Sequence, residues 1–200
     1  MITSPPPRLT KREQLVDTAL RLFAGGGYHA VGIDTVIAAA GVAKQTLYTH
    51  FPSKNALIAE VLRERDRRFR ASLEGFVDRY SEPLARLEAV FMWHRQWFTE
   101  PGFAGCMFIN VAAEFHGEAV ELQQLARAHK QAVERYLAGL LAPLVTQREA
   151  AGLAADFNLL LDGAIGVALV SGDAAAAERA WKMGRQLLAS AQPGVVSPAR

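Results

Sequence analysis

Between Ile33 and Phe51 the chain reads IDTVIAAAGVAKQTLYTHF, and the spacing within that run leaves few folds open. Ile33, Val36, Ile37 and Ala40 fall at i, i+3, i+4 and i+7, one apolar stripe of a short helix. Gly41 is expected to end that helix, because glycine takes the left-handed C′ conformation without a Cβ penalty. A second helix is predicted over Lys44 to His50. At about 100° per residue, Leu47 and Phe51 point one way while Gln45 and Thr49 point the other. Thr46 and Tyr48 flank the polar side, and Lys44 sits in the first turn. Such a pair is a helix-turn-helix whose second member offers Gln, Thr, Tyr and Lys to base edges and phosphates in a major groove. A small helical hairpin with an ordinary solvated face fits the same periodicity.

The longer run GGYHAVGIDTVIAAAGVAKQTLYTHFPSKNALI resembles the N-terminal domain of the TetR/AcrR family of bacterial transcription regulators. The similarity is continuous from about Lys11 to Leu62, and its AGV-K-TLY-HF-SK-AL pattern is highly specific. The resemblance implies an all-α homodimer: an N-terminal three-helix helix-turn-helix DNA-binding domain plus a larger C-terminal helical ligand-binding and dimerisation domain. It also implies double-stranded DNA as partner, with Gln45, Thr46, Tyr48 and Thr49 in a major groove. Thr35, Tyr48, His50 and Lys54 are the phosphate contacts it suggests, beside Lys44. Two positions depart from the pattern. Gly32 and Ala43 stand where family members commonly carry Ser or Thr, so Ala43 has no side-chain acceptor to cap the reading helix, a loss of roughly 0.5–2 kcal/mol.

The charge distribution supports a nucleic-acid partner. Residues 1–70 carry eleven Lys/Arg against six Asp/Glu, whereas residues 71–200 carry eleven against fourteen, so the net charge of +2 conceals a basic head. Half of the 200 residues are hydrophobic, enough for a substantial core, and abundant Ala and Leu favour helices. The single cysteine, Cys106, excludes an intrachain disulfide and fits a reducing, cytoplasmic setting. No signal-peptide pattern starts the chain. The apolar run near the C-terminus, interrupted by Asp162, is expected to fall short of a membrane span.

Residues 1–9, with Pro5, Pro6 and Pro7, read as an extended arm, and residues 192–200 as a tail. Thr10 and Glu13 are spaced as a capping box for a first helix, closed by Gly25, Gly26 and Gly27. The DNA-binding domain is therefore placed at residues 10–52. Ser53 then caps a connecting helix from Lys54 to about Tyr80, within which Arg63 to Arg70 is a solvated charge run. Residues 81–191 are assigned to effector binding and dimerisation.

Seven of the seventeen aromatics lie between Phe91 and Phe115. One helix ending near Phe98 places Val90, Trp93, His94 and Trp97 on a stripe. After the Pro101–Gly102 break, another places Phe108, Val111 and Phe115 on one face and Cys106, Asn110 and Glu114 on the other, with Met107 adjacent. Trp93, His94, Trp97, Phe103, Cys106, Met107, Asn110, Glu114 and His129 are accordingly the candidate wall for a small hydrophobic or aromatic effector. The same spacing is what packed core looks like. His94, Cys106, Glu114 and His129 lack tight metal-ligand spacing, so no metal and no cofactor is expected.

A long helical segment runs from about Glu118 towards Ala150, to be ended or kinked at Pro143. Phe157 to Val170 is apolar almost all round, with Gly163, Ala164 and Gly166 small enough for close helix approach. Ala174 to Ala191 makes the last helix. These two are expected to form a four-helix bundle with a second copy. The alternative to a regulator is a small all-helical ligand-binding protein or enzyme whose helix-turn-helix serves packing only. Catalysis would need a nucleophile–base pair, and only scattered candidates such as Cys106, His94 and Glu114 exist, so no enzyme is expected.

Overall fold

The computed structural model describes residues 9–191, and these are helical throughout, without a strand among them. The expected arm and tail, Leu9 aside, lie outside the described residues. The helices are α1 (Lys11–Gly26), α2 (Ile33–Ala40), α3 (Lys44–His50), α4 (Lys54–Val77), α5 (Pro83–Phe98), α6 (Met107–Glu114), α7 (Val120–Leu141), α8 (Gln147–Ser171) and α9 (Ala176–Ala191). They divide into two compact units. One holds residues up to Arg67 together with Met107–Ala126; the other holds Arg68–Cys106 and Arg127 onward. Thus α6 and the start of α7, read from sequence as effector domain, pack with the helix-turn-helix.

In the first unit α1 opens on the expected capping box. Thr10 Oγ1 accepts from the Glu13 N–H, and the Glu13 carboxylate accepts from the Thr10 N–H at 2.8 Å. The helix continues through Gly25 and Gly26 and stops at Gly27, where φ is 79°. Leu15, Ala19 and Phe23 are buried beside Val36, Ala40, Leu47 and Phe51, the three-helix core. Gly41 takes φ 60°, ψ 41°, the left-handed cap that the sequence demanded. Gln14 of α1 reaches across and donates to the Ala40 carbonyl at 2.7 Å, satisfying an end of α2 that α2 itself leaves open.

In the second unit α8 and α9 fold back on one another and on α5. Phe91, Phe157 and Trp181 meet there, with ring centroids 5.4–6.5 Å apart. Gly184 is needed for that approach: a Cβ at this position would lie 2.9 Å from the Phe157 ring. The segment after Glu118 breaks where Pro143 was expected to end or kink it, and two helices result. α7 ends at Leu141, just before Pro143, and α8 begins ten residues earlier than the apolar run suggested. Its start is a second capping box, Thr146 with Glu149.

The expectation that Asp162 cuts the apolar run short is corrected. α8 passes through Asp162 unbroken for 25 residues, and its most apolar 18-residue stretch has a mean hydropathy of 1.7, long and apolar enough to cross a membrane by length and composition alone. A buried bundle helix passes the same test. Here 44% of its most apolar stretch is already covered within the chain, and Asp162 is ion-paired with Lys130 of α7.

Candidate nucleic-acid interface

α3 has only seven residues, too few to hold a helix in water unaided. Ala43 caps it with extended backbone and no side-chain hydrogen bond, as its methyl group requires. What fixes α3 is its apolar back: Leu47 is wholly buried and Phe51 is 3% exposed. Gln45, Tyr48, Thr49 and His50 are exposed and Thr46 is half-buried, so the polar ridge faces solvent. The Thr49 hydroxyl donates back to the Gln45 carbonyl at 2.8 Å, which fixes its rotamer and leaves its oxygen free to accept. Thr35 is exposed in the first turn of α2.

Two of the expected cationic contacts have partners within the chain. Lys44 Nζ lies 3.1 Å from Asp34, and this carboxylate raises the lysine's pKa. The pair places a counter-charge beside a cation that the positive end of the α3 dipole disfavours. Both side chains are more than half exposed, so the pair is screened and weak, and Lys44 can exchange Asp34 for a phosphate at little cost. Lys54, at the start of α4, donates to the His29 carbonyl at 3.2 Å. Ser53 caps that helix as expected, its hydroxyl accepting from the Ala56 N–H. Much of the basic surplus is similarly engaged, with Arg12 and Arg63 on Glu60, Arg63 also on Glu121, and Arg67 on Glu64.

Glu114 stands apart from the other expected effector contacts. One oxygen of its carboxylate accepts from the N–H groups of both Tyr28 and His29, each at 2.8 Å. His29 Nε2 donates to the Glu114 carbonyl, and the Tyr28 hydroxyl donates to the Met107 carbonyl at 2.9 Å. Both ends of α6 thus clasp the loop between α1 and α2. Gly27, with φ 79°, belongs to this clasp; a Cβ there would sit 3.3 Å from the carboxylate. Removing a charged acceptor from two backbone donors costs about 1.5–3 kcal/mol. Glu114→Ala should lose stability in that range and Glu114→Gln less, by denaturant titration. Equal stability of Glu114→Ala and the parent chain would show that the clasp is ornamental.

The remaining candidates lie in the second unit, apart from Met107 and Asn110. Trp93, His94, Trp97 and Phe103 are brought together by ring contacts 5.0–5.9 Å between centroids. Phe69 of α4, which sequence reading did not single out, centres the group. It stands edge-on to Trp93, His94, Trp97 and His129. His94 and His129 are 2% and 4% exposed, and Cys106 is a buried free thiol. His94 Nδ1 donates to the Val90 carbonyl at 2.8 Å, and burial pushes its pKa down to about 4, so the ring is neutral at pH 7. Among the described residues no three His, Cys, Asp or Glu side chains converge as a metal cluster.

Comparison with known proteins gives this geometry a family. Residues 15–61 match the bacterial regulatory proteins of the tetR family, and residues 83–183 match the tetracyclin repressor-like C-terminal domain. The transcriptional activator FasR of Mycolicibacterium smegmatis is 32% identical over 132 residues, 57% of this chain and 58% of FasR. The transcriptional repressor KstR2 of the same organism is 29% identical over 89 residues, 44% of this chain and 43% of KstR2. The chain therefore aligns with between two fifths and three fifths of the length of these relatives. A TetR-family transcriptional regulator from Streptomyces coelicolor superposes with a TM-score of 0.83 at 28% identity, covering 90% of this chain and 95% of that one. A second, from Streptomyces avermitilis, gives 0.80 at 26%, covering 92% and 98%. Its helix-turn-helix, its helical body and both halves of its sequence agree: the chain belongs to the TetR family of bacterial regulatory proteins.

Proposed function

We propose that the protein is a homodimeric, effector-responsive transcriptional repressor that reads a palindromic operator. The observation that carries this is α3 itself, with Leu47 sealed inside and Gln45, Tyr48 and Thr49 outside. Gln45, Thr46, Tyr48 and Thr49 read the groove. Thr35, Lys44, His50 and Lys54 hold phosphates, the two lysines by exchanging their present partners. Titration of upstream DNA at several salt concentrations tests this, since phosphate contacts make log affinity fall linearly with log salt. Gln45→Ala combined with Tyr48→Phe should weaken binding at least tenfold without changing the melting temperature. Salt-indifferent binding, or full affinity in the double variant, would refute the reading face.

The second copy docks, in this reading, on α8 and α9. Leu159, Gly163, Gly166, Val167 and Val170 line one exposed side of α8, and Leu159 and Val170 are 72% and 86% exposed. Met183 and Leu187 extend the patch on α9. The two glycines have nothing within 4 Å of where a Cβ would stand, which leaves room for a close helix. Val170→Glu is expected to convert a species of twice the mass into the single 21.8 kDa chain in sedimentation, and to abolish operator binding with it. A variant that still sediments as a dimer would move the interface elsewhere.

A small hydrophobic or aromatic effector is received by the wall of Trp93, Trp97 and Phe103, with His94, Cys106 and His129 beside it. It can release DNA only through unequal affinity for two arrangements of the heads.

A further inference from the structure

At the end of the second unit, outside the aromatic wall, lies a cavity of about 450 Å³ lined by Ser81, Pro83, Arg86, Arg135, Tyr136, Gly139, Leu140 and Pro143. Its size is within the range of about 300–1,000 Å³ typical of small-molecule sites. The Tyr136 hydroxyl is buried, and nothing there accepts its hydrogen. Arg86 stands near it but carries donors only, so it cannot accept the phenolic hydrogen. Burial pushes the Tyr136 pKa up, which keeps the phenol a neutral donor. A buried hydroxyl lacking an acceptor is a cost that folding alone does not explain.

The charged groups that line the cavity are both cations. Arg86 and Arg135 can only donate, Ser81 can donate or accept, and no carboxylate lines the cavity. Arg86 is held by Asp78 at 2.8 Å, so its charge is met. Arg135 forms no ion pair among the described residues, so its guanidinium is open to an anion. Pro83, Leu140 and Pro143 supply apolar walls opposite. One unmatched cation, one buried donor without an acceptor and a short apolar wall describe a monoanion with a hydrocarbon part.

We propose that this cavity is a binding site for a small organic carboxylate, its carboxylate accepting from the Tyr136 hydroxyl and the Arg135 guanidinium and its hydrocarbon lying on Pro83, Leu140 and Pro143. The site is independent of the hydrophobic effector wall and of the reading of α3.

Calorimetric titration of the 200-residue chain with hexanoate tests it, with hexanol as the uncharged probe of the same tail. Hexanoate should bind saturably at millimolar concentration and hexanol at least tenfold more weakly. Tyr136→Phe and Arg135→Gln should each weaken hexanoate at least tenfold. Tyr136→Phe should also melt no lower than the parent chain, because it deletes a donor without opening a hole. No saturable hexanoate binding overturns the proposal. So does undiminished binding by both variants, which would make the hydroxyl a partner of water only. A lowered melting temperature in Tyr136→Phe would mean that the hydroxyl is satisfied within the fold, and would overturn it equally.

Discussion

Leu47→Ala is expected to cost the helix-turn-helix unit about 2–5 kcal/mol, the range for emptying a closed leucine site, and to remove operator binding altogether. The reason is how little else holds α3. Its seven residues cannot sustain a helix alone, and Ala43 contributes no side-chain cap. Lys44 and Asp34 form a screened surface pair. Leu47, with no exposed surface, is therefore the pin between a reading ridge and a frayed loop. Tyr48, one residue on and 44% exposed, gives the contrast. Tyr48→Ala should stay within about 0.5 kcal/mol of the parent chain, as surface changes do, yet still lose DNA affinity. Denaturant titration and DNA binding measured on both variants separate the two roles. A Leu47→Ala chain within 1 kcal/mol of the parent, on the scale of an ordinary surface change, would mean that another contact holds the helix.

The head was legible in the sequence because its determinants are local. Gly41, the stripe from Ile33 to Ala40, the Thr10–Glu13 box and the alternation around Leu47 all act within one or two helical turns. What escaped is what joins distant residues. Gln14 meets Ala40 across 26 positions and Glu114 meets Tyr28 across 86. No periodicity reports such pairs, so Glu114 read as a polar spot on an effector wall when it is the clasp on the α1–α2 loop. The start of α8 was missed for a different reason. Thr146 and Glu149 carry the same capping signature as Thr10 and Glu13, but the apolar stretch after Phe157 drew the boundary to itself. In the second unit, Phe69 sits in a charge run, RERDRRFR, and its neighbours concealed that it is 6% exposed and central to the aromatic cluster.

That cluster should make the protein acid-labile in a defined window. His94 titrates at about 4 in the folded chain against 6.5 when free, because burial penalises its charged form; the Val90 carbonyl opposes that shift in part, and the nearby Lys130 and His129 add a smaller push downward. Above pH 6.5 neither the folded nor the unfolded chain protonates this ring, and it imposes no pH dependence. As the pH falls from 6.5 towards 4, the unfolded chain takes up a proton that the folded chain refuses, so stability drops. Below about 4 both are protonated and the loss is complete. At about 1.4 kcal/mol per unit, the whole window amounts to roughly 3 kcal/mol. Trp97 and Phe98 lie 5.9 and 6.1 Å from the His94 ring, so tryptophan emission reports the loosening directly. Unfolding curves collected across this window should show the slope, and His94→Leu, which cannot take up a proton, should flatten it. If the two profiles run parallel, the acid sensitivity belongs to the carboxylates and not to His94.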